Sequence, residues 1–365
     1  MKCICDRVAL LEALSATSSV AAARTPKPIL QCVRLTAAKD ALTVTAYDQE
    51  VGLRQHVRQI DVTKTGETLV NCERLLAIVR ESADETLAFE TKDDILHIRG
   101  ADSHFQVIGQ NAREFPPVPD MEGDADFSVK VGVLREAVGQ TLFAAARENT
   151  RYAINGVLWQ KKGKTLQLIA TDGRRLAMSS VSLEKSVGEE VSAIVPAKAL
   201  NLLSKLHFAA DEVIQVKLST NQIILRSDRA TISSVLVEGH FPKYEDVVPR
   251  DNDKKISLKT DEFMSAVKRA SLLSGVESKG IRINVSSEGL VLSGRAQEQG
   301  EAVVKLSGIE YGGPALDIGF NPEFLVDALK VCGETLSFEL KEPSRPGVIR
   351  SGPVFLYVVM PVNLS

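Results

Sequence analysis

Only five cysteines occur in 365 residues, at Cys3, Cys5, Cys32, Cys72 and Cys332. The odd, scattered set argues against a disulfide framework and for buried thiols in a reducing compartment. Cys3-Ile4-Cys5 has the alternation of a strand with both thiols on one face, not the gap of a zinc knuckle. Glycine and proline number 24 and 14, too few for a collagen-like or low-complexity chain. No run approaches the ~20 apolar residues of a membrane-spanning helix, and Met1 to Asp6 lacks the apolar stretch and cleavage site of a secretory signal. A cytoplasmic protein without membrane association is therefore expected. The net charge is only -3, which excludes a basic protein that coats nucleic acid by bulk electrostatics, so any such contact must be local. What is present, 44% apolar and 25% charged residues, suits a globular chain of two or three domains.

An internal repeat organises the chain. Ala41-Leu42-Thr43-Val44-Thr45-Ala46-Tyr47-Asp48 has a counterpart in Thr165-Leu166-Gln167-Leu168-Ile169-Ala170-Thr171-Asp172 and a weaker one in Gly289-Leu290-Val291-Leu292-Ser293-Gly294. Ile98-Arg99-Gly100, Leu225-Arg226-Ser227 and Ile349-Arg350-Ser351 recur in step, as do Phe115-Pro116-Pro117-Val118, Phe241-Pro242-Lys243-Tyr244 and Met360-Pro361-Val362. The period is too long for a solenoid and is that of duplicated domains.

Helix starts keep the same beat, near Asp6, Asn71, Lys130, Pro196, Thr260 and Asn321. Asn321-Pro322-Glu323 offers a cap, a proline at the first helical position and an acid that suits the helix dipole, and Asp6 and Asn71 can cap their own helices. Apolar residues at helical spacing, such as Val131, Leu134, Val138 and Leu142, mark one buried face. Between helices the chain alternates like strands, with turns such as Lys161-Lys162-Gly163-Lys164. The fold class is therefore α+β, three tandem units each with two helices packed on antiparallel sheets. The boundaries fall at residues 1–125, 126–252 and 253–365. The six helical windows together carry about +3 in a chain of -3, so the helices are positive relative to the sheets. A solvated helix face accounts for so small a bias as well as a phosphate-facing surface does.

Enzyme chemistry finds little support. His56, His97, His104, His207 and His240 show no metal-ligand spacing. Gly163-Lys164-Thr165 lacks the earlier glycine of a phosphate loop and lies between two strands, and Ser265-Ala266-Val267-Lys268 lacks the companions of a serine-lysine acylation site. Asp172 has no second acid at a recognisable spacing, and Asp172-Gly173 reads as a turn. No cofactor and no metal are expected.

The three units, together with Arg24-Thr25-Pro26-Lys27-Pro28-Ile29-Leu30, Arg151-Tyr152-Ala153-Ile154-Asn155-Gly156, Ala170-Thr171-Asp172-Gly173-Arg174-Arg175-Leu176-Ala177 and the closing Val358-Val359-Met360-Pro361, resemble the β sliding clamps of bacterial DNA polymerase III from end to end. The resemblance implies a non-catalytic, nucleoid-associated processivity factor, a head-to-tail homodimeric ring of DNA-clamp domains around duplex DNA, bound without sequence preference. It implies DNA contacts at Arg24, Asn149, Arg151, Tyr152 and Lys198. The sequence departs at Ala153, where many relatives carry a second tyrosine. Also implied is an apolar cleft at Ile154, Thr171, Gly173, Arg174, Leu176, Pro242, Val247, Asn321, Phe324, Val359, Met360, Pro361 and Val362. That cleft would take a linear peptide from the polymerase III α subunit, the clamp loader δ subunit, other polymerases and repair proteins. The ring would be sealed between the edge-like Phe105 to Ile108, including Phe105 and Val107, and the region of Leu272 and Leu273. Two rival readings remain: a nucleotide-processing enzyme, which needs clustered carboxylates or a phosphate loop, and a repeat-built scaffold that does not bind DNA.

Overall fold

The structure, a computed structural model, describes all residues except 22–24, 148–152, 275–279, 297–299 and 364–365. Its elements repeat three times in the order strand, helix, three or four strands, strand, helix, three strands. The first third runs β1 (Lys2–Asp6), α1 (Arg7–Ser18), β2 (Cys32–Ala37), β3 (Leu42–Tyr47), β4 (Val51–Val57), β5 (Ile60–Lys64), β6 (Gly66–Asn71), α2 (Cys72–Glu81), β7 (Thr86–Lys92), β8 (Ile95–Arg99) and β9 (His104–Ile108). The second runs β10 (Phe127–Lys130), α3 (Val131–Leu142), β11 (Gly156–Lys162), β12 (Thr165–Thr171), β13 (Arg175–Ser182), β14 (Lys185–Ser186), β15 (Val191–Pro196), α4 (Ala197–Lys205), β16 (Val213–Leu218), β17 (Gln222–Arg226) and β18 (Ala230–Val235). The third runs β19 (Lys254–Lys259), α5 (Thr260–Ser271), β20 (Ile281–Ser286), β21 (Gly289–Ala296), β22 (Gly300–Leu306), β23 (Leu316–Phe320), α6 (Pro322–Leu329), β24 (Thr335–Leu340), β25 (Gly347–Ser351) and β26 (Phe355–Val359).

Local chemistry explains the helix starts. Asp6 accepts a hydrogen bond from the Ala9 amide at 2.8 Å, Asn71 from Arg74 at 3.0 Å and Asn321 from Glu323 at 2.9 Å, each side chain satisfying an amide that the first turn leaves unpaired. Pro322, which has no amide hydrogen to lose, occupies the first helical position after Asn321. The repeated leucines Leu42, Leu166 and Leu290 each enter the second strand of a hairpin or meander, at β3, β12 and β21, and all three are buried. Gly163, with φ +55°, makes the turn between β11 and β12.

The chain forms two compact units, and the middle repeat contributes to both. In one unit a nine-stranded sheet has the order β14-β10-β16-β17-β18-β4-β3-β2-β6, and a five-stranded sheet has the order β5-β1-β7-β8-β9. Helices α1 and α2 pack on each other there, with Leu10, Leu14, Leu75 and Val79 buried. In the other unit an eight-stranded sheet runs β15-β11-β12-β13-β26-β25-β24-β19, and a four-stranded sheet runs β22-β21-β20-β23. Helices α5 and α6 pack on each other, and Phe263 and Phe320 lie 5.6 Å and 5.8 Å from Phe338, ring to ring. Each fully buried phenylalanine contributes about 2–3 kcal/mol of burial.

Within each unit the large sheet is continuous across two repeats. Strand β18 pairs with β4, with Ile232 opposite Leu53, and β26 pairs with β13, with Tyr357 opposite Ala177. The repeated Phe-Pro runs are segments that cross the faces of these sheets. Phe115 and Val118 pack with Cys32 and Leu69, and Tyr244 packs with Leu158, Ile169, Leu176 and Val358, flanked by Phe241. Gly52 lies under the first of these segments: a Cβ there would stand 2.5 Å from Val118 and 2.6 Å from Ser233.

Candidate functional site

The turn between β12 and β13 is built by its own side chains. Asp172 Oδ1 accepts from the Arg174 and Arg175 amides at 2.9 and 3.1 Å, and the Thr171 hydroxyl donates to the Arg175 carbonyl at 2.6 Å and accepts from the Gly173 amide at 3.1 Å. Gly173 sits at φ +87°, where a side chain is strained. Asp172 is thus a structural turn residue, as the Asp-Gly pattern suggests.

Arg175 carries this turn into the core of its unit. Its guanidinium donates to Asp172 at 2.9 Å, to Asp327 of α6 at 3.0 Å and to the Phe143 carbonyl at 2.9 Å. It also lies 4.4 Å over the Phe324 ring and 5.6 Å over Phe143. The Tyr357 hydroxyl donates to the Phe324 carbonyl at 2.9 Å, which ties β26 to the same helix. Burial pushes Tyr357 well above its ordinary value. Burial acts to raise Asp327 as well, but the bonds from Arg175 and Lys330 outweigh it and hold the carboxyl below its usual value.

The C-terminal segment lies along this turn. The Met360 amide donates to the Arg174 carbonyl and the Val362 amide to the Gly319 carbonyl, both at 2.9 Å, so the segment bridges the turn and the strand that leads to α6. A cavity of about 600 Å³ flanks it, lined by Arg282, Asp317, Pro343, Met360, Pro361 and Val362 among others. Ile154, Thr171 and Leu176 are buried. Gly173, Arg174, Val247 and Met360 are exposed, whereas Pro242, Asn321, Phe324, Pro361 and Val362 are partly so.

Val359 and Leu176 do not share a face of the sheet. Leu176 pairs with Val358 and Arg175 with Val359, and side chains alternate along a strand, so Val358 joins the apolar cluster of Leu176 while the fully buried Val359 faces away from it. Arg175 was missed altogether, since a second arginine after a turn carries no pattern that marks it as buried.

Of the residues expected at DNA, Arg24, Asn149, Arg151 and Tyr152 lie outside the described residues. Lys198, in the first turn of α4, is half-exposed, and its ammonium is held by Asp48, with Glu50 at 3.8 Å. A cavity of about 440 Å³ adjoins it, lined by Ser19, Val20, Val51, Lys198, Asn201, Leu202 and Lys205.

Of the residues expected to seal a dimer, Phe105 and Val107 lie on β9, an open edge of the five-stranded sheet. Phe105 is 38% exposed, but Val107 points into the unit and is 6% exposed, so it can contribute only its backbone at that edge. Leu272 is exposed and Leu273 partly buried, just after α5. In the third repeat β22 is one open edge of the four-stranded sheet, with β23 at the other, and its Val303 is exposed. Among the described residues no group of three or more His, Cys, Asp or Glu is placed to hold a metal, and no helix is long and apolar enough to cross a membrane.

Models of the DNA polymerase III β subunit match the chain in three blocks: the N-terminal domain at residues 1–119, the central domain at 128–243 and the C-terminal domain at 245–363. A β sliding clamp of Pseudomonas aeruginosa is 32% identical over 363 residues, covering 98% of this chain and 99% of that one. The clamp of Escherichia coli K12 is 29% identical over the full length of both chains. Among solved structures, a Pseudomonas aeruginosa DNA polymerase III β subunit bound to griselimycin superposes with a TM-score of 0.95 at 32% identity, covering 100% of each chain.

Proposed function

From the premise that the chain belongs to the DNA polymerase III β-subunit family of sliding clamps, non-catalytic processivity factors of DNA replication, we propose that two copies close head to tail into a ring around duplex DNA. The junctions inside the chain support this reading and suggest its register. Ala46, Ala170 and Gly294 are equivalent in the repeat, and they pair with Leu53, Ala177 and Ala302. Ile98, Leu225 and Ile349 are equivalent as well, and they pair with Phe105, Ile232 and Tyr357. Ile232 meets Leu53 and Tyr357 meets Ala177 at the two internal junctions. By the same rule Phe105 of one protomer meets Ala302 of its partner.

The observation that carries the proposal is the burial contrast. Ile232 is 1% exposed and Tyr357 0%, each against a fully buried partner, Leu53 and Ala177, whereas Phe105, the equivalent of Ile232 and Tyr357, is 38% exposed. A head-to-tail pair with two-fold symmetry closes, so it leaves neither β9 nor β22 as an open edge. In this scheme the clamp domains span residues 1–125, 126–252 and 253–365, whereas the third matched block begins earlier, at residue 245.

In the ring, Arg24, Asn149, Arg151, Tyr152 and Lys198 meet the DNA backbone. Topology rather than affinity retains the ring, so a near-neutral chain suffices. The polymerase III α subunit, the clamp loader δ subunit and other polymerases and repair proteins dock short peptides at a cleft that includes Ile154, Thr171, Leu176 and Met360. A flexible thioether at the lip suits several ligands. Sedimentation should give a dimer, and the protein should be retained on nicked circular DNA and slip off linear DNA. A monomer, or equal retention on both DNAs, overturns the reading.

A further inference from the structure

We propose that Asp48 is a built-in competitor of DNA phosphate for Lys198, so that the clamp holds one of its cations in reserve while it slides. The inference rests on the reading that α4 faces the DNA. Asp48 divides its carboxylate between two tasks. Its Oδ1 accepts the amides of Glu50 and Val51 at 3.0 and 2.7 Å and so fixes the turn between β3 and β4, while its Oδ2 is aimed at the Lys198 ammonium. The Asp48 side chain is only 7% exposed, so the acceptor is pre-set and does not have to be ordered when the lysine arrives. Glu50, 3.8 Å from the same ammonium, adds a second negative charge at the solvent side.

Lys198 has no local structural reason to stand where it does. A cation in the first turn of a helix is repelled by the positive end of the dipole, and that turn of α4 contains no acidic residue to offset it. The counterion comes instead from a distant turn. Asn201 and Lys205 follow Lys198 on the same face of α4, and Lys205, in the last turn where the dipole favours it, is exposed and has no ion pair among the described residues. Helix α4 therefore offers one standing cation and one latched cation. A passing phosphate must displace a carboxylate to gain Lys198, which weakens the contact and favours sliding over arrest.

The test uses the full-length protein and duplex DNA, with affinity measured from 50 to 200 mM salt for the parent, Asp48→Asn, Lys198→Ala and the double variant. Asparagine at position 48 can still accept both turn amides, so the turn is retained, and sedimentation checks that each variant keeps the parent's mass. Asp48→Asn is expected to steepen the slope of log affinity against log salt by about 0.9, which makes a fourfold rise in salt cost an extra ~3.5-fold in binding. The gain should vanish in the double variant. If Asp48→Asn raises binding equally with Lys198 absent, the effect is general charge relief and the latch is wrong, although α4 still faces DNA. If Lys198→Ala alone flattens the slope and Asp48→Asn does nothing, Lys198 is already engaged and the latch is again wrong. If no variant moves the slope, α4 does not face DNA and both readings fall.

Discussion

Replacing Arg175 by alanine is the most informative single change in the unit that holds α6 and the C-terminal segment. The substitution removes hydrogen bonds to Asp172, Asp327 and the Phe143 carbonyl, and the packing of the guanidinium over Phe324. Breaking a fully buried pair costs about 3–5 kcal/mol. Here the two carboxylates are 20% and 31% exposed, and Asp327 keeps Lys330 at 3.0 Å, so water and a second cation soften the loss. The expected cost is about 2–3 kcal/mol. Arg175→Lys keeps the charge without the planar fork and should recover less than half of it. The sole tryptophan, Trp159, is fully buried on β11 of the same sheet, so its fluorescence reports unfolding in urea. Asp327 supplies a pH test with a defined sign. Its folded value lies below the ordinary one, so its stabilisation is present above the unfolded value near ~3.9 and is lost as pH falls through the lower folded value. Arg175→Ala should shrink that acid-side loss. An unchanged urea midpoint, or a lysine variant equal to the parent, would refute this account of the turn.

The other predictions can be checked independently. Met360→Ala should weaken a linear peptide with aliphatic or aromatic anchors by about 1–2 kcal/mol in fluorescence anisotropy, because it removes an exposed lip of the cleft, and retention on circular DNA should not change. Gly173→Ala should cost about 1–2 kcal/mol in urea unfolding through backbone strain alone, since nothing lies within 4 Å of the added carbon. Cys72, pushed up to about 12 by burial, with Cys32 and Glu73 adding to it, should resist alkylation in the native protein at pH 8 and react on unfolding. Val303→Asp should yield monomers on sedimentation, and Leu273→Asp should do so only if the turn after α5 reaches the partner.

Much of the fold was legible because it rests on local signals. Asp6, Asn71 and Asn321 cap the helices that their side-chain chemistry announces, and the repeated leucines locate β3, β12 and β21. The pairings of β18 with β4 and β26 with β13 were not legible, because period-two alternation says which face is buried and not which strand lies alongside. The same limit explains Val358 and Val359: both are apolar and buried, so only the observed register separates their faces. Arg175 and Asp48 act through partners 152 and 150 residues away in sequence, at Asp327 and Lys198, where no spacing rule reaches.

Ring closure in the stated register is tested most directly by a covalent bond across it. Directly opposed residues of antiparallel strands have Cα atoms about 4.5–5.5 Å apart, within the range of a disulfide. The Phe105→Cys, Ala302→Cys double variant, assembled on nicked circular DNA and oxidised, should therefore give covalent dimers that stay on the circle in high salt and leave after the DNA is cut. The native cysteines should interfere little, since four are buried and Cys332 is partly so. Failure of this pair to crosslink while Phe105→Cys with Leu272→Cys succeeds, or crosslinked dimers that wash off intact circles, would contradict the account.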